Sequence, residues 1–223
     1  PGAGCRSRSG YYSEAEKGFV TFEVGIHGIP TVLADERIYE TLKQGSLQNY
    51  PSANVDDKDK YYYKRVFVSC ARAVDFLASL DFVDAERIGT DGWSYGGFMS
   101  TNMKIHYPED VKVSTAGGPV MDWKYYEIMY GERYMDTPEE NPEGYELTSL
   151  ENKTDKLEGK LMIIHCTTDP VVVWQHSLVF VENCIHNGKQ LDYFVYPGHD
   201  HNVYGPDRAH LVTKITEYFK ANL

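Results

Sequence analysis

The chain has 223 residues, 42% of them hydrophobic and 25% charged, with a net charge of −11. That is the size and balance of one large globular domain with a sizeable core. The acidic balance argues against nucleic-acid or anionic-membrane partners, and the longest apolar runs, such as Leu161 to Ile164, are far too short to cross a bilayer.

Strand-like and helix-like segments alternate along the chain, which points to an α/β sheet. Phe19 to Val24 reads as a strand. Residues 27–62 are polar and broken by Gly and Pro, an excursion with one short helix around Ala34–Lys43. Val66, Cys70, Ala73, Val74, Leu77 and Leu80 recur at helical spacing, so a helix is expected over about 60–80. A short strand at Arg87–Asp91 leads into a Gly-rich turn at 92–97 and a helix to about His106. Lys112–Ala116 is the next strand. Leu161–His165 is a continuous apolar run, the pattern of a strand buried on both faces. A helix over about Trp174–His186, a strand at Asp192–Tyr196 and a closing helix at 206–221 complete the reading.

Four cysteines, Cys5, Cys70, Cys166 and Cys184, lack C-x-x-C spacing and any zinc-type partnership with His. They read as free buried thiols, and neither a metal nor another cofactor is expected.

Gly92-Trp93-Ser94-Tyr95-Gly96 is a G-x-S-x-G motif between an expected strand and an expected helix. That context is the nucleophile elbow of the α/β-hydrolase fold, a mostly parallel sheet with helices on both faces. A strained turn there lifts the serine hydroxyl clear, and side chains at the flanking glycines would collide with their neighbours. The hydroxyl needs a base, and the base needs an orienting acid. The chain order in this fold is Ser, acid, His. Asp169 follows the apolar strand and His201 follows the last one, so Ser94, Asp169 and His201 form the expected triad. His199 shares the loop as the weaker candidate for the base. His165 sits inside a strand and reads as a satisfied core residue or a support behind the site. His27, His106, His176, His186 and His210 read as surface residues, and Asp192 and Asp207 are poor alternatives to Asp169. An oxyanion hole would take the backbone N–H of Tyr95 and a second donor from Gly2, Ala3 or Gly4 in the opening loop.

From about Val83 to Leu223 the chain resembles the prolyl oligopeptidase family, in its dipeptidyl-peptidase-IV and prolyl tripeptidyl aminopeptidase branch. The stretches that carry the likeness are Val83–Gly89, Gly92–Met99, Trp123 through Glu132-Arg133-Tyr134, Asp169–Ser177 and Tyr196–Val203. The resemblance implies the same triad. It also implies that Tyr95, Val120, Trp123, Tyr126, Tyr130 and Val172 wall a pocket for proline, a flat apolar ring suited to aromatic walls. It implies a homodimer contact through the helix at 206–221, and export from a bacterial cell. From about Pro1 to Leu80 the chain instead resembles acetylxylan esterase and cephalosporin-C deacetylase relatives. Pro1–Gly4, Lys17–Pro30 and Asp56–Arg65 carry that likeness, so a junction of two relatives is expected near residues 75–92 within a single catalytic domain over 1–223.

In this fold the strand before the oxyanion loop pairs between the strand at 19–24 and the strand at 87–91. The chain opens at the loop, so the N-terminal strands are expected to be absent and the chain to be a fragment of marginal stability. Three functions stay open at this point. The first is a peptidase acting on a peptide with proline before the scissile bond. The second is an esterase acting on an acetylated carbohydrate. The third is a silent hydrolase that only binds a partner.

Overall fold

The computed structural model describes residues 12–25, 27–29 and 37–223. By compactness the chain divides between Asp84 and Ala85.

In the first unit, helices run over Tyr12–Ala15 (α1), Arg37–Gln44 (α2) and Tyr62–Ala78 (α3). The expected helix at 60–80 is therefore α3, and that at Ala34–Lys43 is α2, shifted forward. Tyr50, Tyr62 and Tyr63 pack together, and the Tyr62 hydroxyl lies 2.6 Å from Nδ1 of His27. The strand expected at Phe19–Val24 does not form, and no β-ladder includes residues 19–25. Alternating apolar residues make a strand only where a sheet buries one face. Here Val20 and Phe22, the face that would be buried, stay about half exposed.

The second unit holds the sheet. Four parallel strands, Gly89–Trp93 (β1), Val113–Gly117 (β2), Lys160–Cys166 (β3) and Asp192–Tyr196 (β4), pair in sequential order. Between and after them run the helices Tyr95–His106 (α4), Gly131–Met135 (α5), Pro142–Thr148 (α6), Gln175–His186 (α7) and Pro206–Asn222 (α8). Every residue of β2 is buried, as is β3 apart from Lys160. That explains why β3 reads as an unbroken apolar run.

Helices cover both faces, and successive residues of one strand show it. A Cβ on Gly89 would lie 2.4 Å from the ring of Phe219 on α8. The next residue, Thr90, hydrogen-bonds from Oγ1 to Ser100 on α4 at 2.9 Å. On the α8 face, Met162, Ile164, Cys166 and Tyr196 pack with Val203 and Leu211, flanked by Trp93, Phe194, Ile215 and Tyr218. On the other face, His165 reaches Ser177 of α7. The sequence reading passed over α5 and α6, which are short. Asn141 starts α6 by accepting a hydrogen bond from the Gly144 amide, with Pro142 following it.

Cys166 and Cys184 are buried free thiols, as expected, whereas Cys70 is only partly buried. Cys5 lies outside the described residues.

Candidate active site

The site is assembled at the carboxyl ends of the strands, where parallel sheets place their ligands. Ser94 directly follows β1. Its backbone sits at φ 60°, ψ −120°, a region that costs a side-chain-bearing residue roughly 1–3 kcal/mol. Two hydrogen bonds hold it there: its N–H donates to Gly117 O at 2.7 Å, and its carbonyl accepts from Phe98 N at 3.0 Å. The steric requirement of the elbow differs from the expectation. A Cβ on Gly92 would lie 2.1 Å from the Gly96 carbonyl oxygen, and one on Gly97 would lie 3.0 Å from Gly117 O. Among the described residues, a Cβ on Gly96 would meet nothing within 4 Å. The turn thus demands glycine at 92, crowds at 97, and has open space at 96.

Asp169 lies three residues past β3 and is buried. Its Oδ1 accepts from the amides of Val171 and Val172, both at 2.9 Å. Its Oδ2 lies 2.8 Å from Nδ1 of His201, five residues past β4. Nε2 of His165 stands 3.5 Å from the same oxygen. Burial by itself would raise the Asp169 carboxyl. The hydrogen bonds from His165, His201 and the two amides outweigh burial and hold it well below the usual carboxylate range. An ionised, four-fold-bonded carboxylate is suited to hold an imidazole in one tautomer.

Two adjacent glycines make room for this arrangement. A Cβ on Gly117 would fall 1.8 Å from the Trp93 ring, and one on Gly118, at φ +45°, would fall 3.3 Å from both Asp169 Oδ2 and His201 Cε1. The other candidate base is turned elsewhere, since His199 Nε2 pairs with Asp207 Oδ2 at 2.8 Å. Tyr95 is the first residue of α4 and directly follows Ser94, the position expected of an oxyanion donor. Gly2, Ala3 and Gly4 lie outside the described residues.

The aromatic residues expected to wall a pocket do converge. Trp123 packs on Tyr95, Phe98, Tyr126 and Tyr130, with centroids 5.9, 5.4, 5.6 and 6.1 Å away. Tyr126 and Tyr130 meet edge-on at 5.5 Å, and Tyr134 extends the cluster from Tyr130. Val120 and Val172 are fully enclosed. Burial raises the Tyr126 phenol, helped by the charges of Glu127 and Asp169.

The sequence profile of the prolyl oligopeptidase family matches residues 49–223. The chain belongs to the prolyl oligopeptidase family. The match reaches back across Asp56–Arg65, the stretch that read as esterase-like. Dipeptidyl peptidase 8 of Mus musculus is 32% identical over 155 residues, covering 67% of this chain and 17% of that protein. A crystal structure from Bacteroides ovatus, described as a dipeptidyl aminopeptidase IV, is 54% identical with a TM-score of 0.70, over 72% of this chain and 23% of that one. Dipeptidyl peptidase 4 of Porphyromonas gingivalis is 33% identical with a TM-score of 0.67, over 70% of this chain and 22% of that one. The chain therefore spans about a fifth of the length of these relatives, and over that span it has the α/β-hydrolase fold.

Three features of the site escaped the sequence reading. His176 is fully buried rather than a surface residue, because α7 packs it inward against Tyr125. Its Nδ1 accepts from the amides of Met121 (3.3 Å) and Asp122 (3.5 Å). Burial, together with the nearby His165, lowers it to about 4. Beside it Lys124 bridges two buried carboxylates, Asp122 at 3.2 Å and Glu151 in a short hydrogen bond. Burial alone would lower the Lys124 ammonium, but the two acids hold it above its usual value. The third feature is the indole N–H of Trp93, which donates to His201 O at 2.7 Å. The residues are 108 apart in sequence, and no local pattern marks such a pair.

Proposed function

We propose that this chain carries the catalytic centre of a serine peptidase that cleaves after proline, with Ser94 as nucleophile, His201 as base and Asp169 as orienting acid. The observation that carries the reading is the 2.8 Å contact between His201 Nδ1 and a buried Asp169, at the strand ends where Ser94 stands in its strained turn.

The chemistry runs through an acyl-enzyme. Ser94 Oγ attacks the carbonyl carbon of the scissile amide while His201 Nε2 takes its proton. Asp169 holds the Nδ1–H and stabilises the imidazolium. The carbonyl oxygen, now an oxyanion, is met by the Tyr95 N–H. The intermediate collapses, the C–N bond breaks, and His201 returns the proton to the departing amine. Water then enters, gives a proton to His201 and attacks the ester, and Ser94 recovers its proton as the acid leaves. The aromatic cluster around Trp123 offers an apolar wall with no hydrogen-bond demand, which supports proline as the residue carrying the acyl group. In this reading residues 1–223 act as one catalytic domain.

The test is paired hydrolysis of an Ala-Pro anilide and of nitrophenyl acetate by the full chain and by Ser94→Ala, together with fluorophosphonate labelling. Anilide cleavage lost in the variant is the expected result. Ester turnover alone would favour an acetyl esterase. Absence of labelling in the unaltered chain would mean that Ser94 is not activated.

A further inference from the structure

From the geometry behind the triad we infer that His165 is a positioning residue for Asp169, acting on the same carboxylate oxygen as His201. The inference rests on the proposed roles of Asp169 and His201.

His165 lies in β3 and has no exposed surface. Its Nε2 stands between two acceptors, the Val172 carbonyl at 2.9 Å and Asp169 Oδ2 at 3.5 Å. A nitrogen so placed must carry the hydrogen, since a lone pair there would face two oxygens. Nδ1 then accepts, and its partner is the buried Ser177 hydroxyl at 2.6 Å. Ser177, His165, Asp169 and His201 thus form one line of polar contacts from α7 to the mouth of the site, hydrogen bonds at both ends and a 3.5 Å approach of His165 to Asp169 between them. The low position of the Asp169 carboxyl, to which the His165 contact contributes, agrees with this arrangement.

The consequence falls on His201. Charge drawn from Oδ2 toward His165 is charge not available to stabilise the His201 imidazolium. His165 therefore keeps the carboxylate ionised and fixed while restraining how strongly His201 holds its proton. Losing the Nε2–H should move the His201 titration to higher pH. Several other groups act around this titration. Asp169 faces the ring directly, and Asp200 is on the same loop. The His199–Asp207 pair spans that loop and the start of α8. The Tyr126 phenol feels Asp169 from the aromatic cluster, and His176 on α7 is coupled to His165.

The experiment compares the unaltered chain with His165→Leu, His165→Gln and Ser177→Ala. It reads the pH at which the low-field proton between His201 and Asp169 titrates, and the acid limb of kcat/KM. His165→Leu should raise both by about half a pH unit or more and lower kcat about 10-fold, with KM within about twofold. His165→Gln, whose amide N–H has a similar reach, should recover most of the shift. Ser177→Ala removes the hydroxyl that bonds Nδ1 and so loosens the hold on the ring, and should shift both readings the same way, by less. Unmoved titrations in His165→Leu and Ser177→Ala would overturn the inference. If His165→Leu does not fold, Ser177→Ala decides alone. The proton titration needs no turnover, so failure of the unaltered chain to hydrolyse or label would count against the proposed function and leave this reading separately decidable.

Discussion

The indole of Trp93 and the backbone of His201 are joined by a 2.7 Å hydrogen bond. Trp93 precedes Ser94, the proposed nucleophile, and His201 is the proposed base. One ring therefore fixes the spacing between the elbow and the histidine loop, and Gly117 leaves the space that the ring occupies. Replacing the indole by Trp93→Phe keeps most of the apolar packing and removes the donor. A hydrogen bond of this kind contributes roughly 1 kcal/mol, and misplacing the base affects the transition state more than the ground state. The expected result is a fall in kcat of about 10-fold with little change in KM, measured by steady-state kinetics on an Ala-Pro anilide.

The twin glycines separate two failures. Gly117→Ala places a Cβ inside the Trp93 ring and should unfold or badly destabilise the sheet. Gly118→Ala comes slightly closer to Asp169 and His201 than ordinary contact, so they must give by a few tenths of an ångström, and its strained φ adds about 1 kcal/mol. It should fold, with a modestly lower Tm and a disproportionate loss of fluorophosphonate labelling. Thermal melts and labelling rates on both variants check this.

His176 should make the fold acid-sensitive. Burial, with His165 nearby, holds the His176 imidazole at about 4 in the folded chain against the usual 6.5. A depressed folded pKa means that the unfolded chain binds the proton more readily. The stabilisation is complete above pH 6.5 and is lost as pH falls through the window from 6.5 to 4, by up to about 3 kcal/mol. Asp169 has the same sign over a lower range, since its stabilisation is present above 3.8 and lost below it. His176→Gln should flatten the urea midpoint between pH 6.5 and 4 and leave the slope below pH 4 in place.

The aromatic wall should matter for proline and little for acetate. Tyr130 packs on Trp123, Tyr126 and Tyr134 and is only partly buried. Tyr130→Ala should lower kcat/KM for an Ala-Pro anilide about 10-fold, within the range a lost apolar contact gives. Nitrophenyl acetate turnover should change about twofold or less. Equal losses on both substrates would show that the cluster supports the fold rather than the substrate.

Lys124 lies between the buried carboxylates of Asp122 and Glu151. Lys124→Met would leave two acids facing each other in a dry site. Because Lys124 is itself partly exposed, the loss should fall short of that for a fully buried pair, roughly 1–3 kcal/mol. The loss should be smaller at pH 4 than at pH 8, because Glu151, already raised by burial, can then take up a proton. Chemical denaturation at the two pH values checks it.

The sequence by itself determined most of the second unit. Strands β1 to β4 and helices α4, α7 and α8 were legible from strand-like and helix-like segments alternating between turns, and β3 most clearly because burial on both faces leaves an unbroken apolar run. The placement of Ser94, Asp169 and His201 just past strand ends was legible because this fold keeps a fixed order of elements along the chain. Tertiary structure decided what depends on contacts between distant residues. Phe19–Val24 has a strand's alternation, yet it forms no strand because no sheet buries Val20 and Phe22. His176 reads as a surface residue until α7 packs it against Tyr125. Gly96 looks as indispensable as Gly92 in the motif, yet among the described residues the folded turn leaves open space at Gly96 and sets a backbone oxygen against Gly92. The links from Trp93 to His201 and from Ser177 through His165 to Asp169 join different elements of the sheet and its helices. Hydrogen bonds of that kind leave no periodic trace along a chain, so they become visible only once the strands lie side by side.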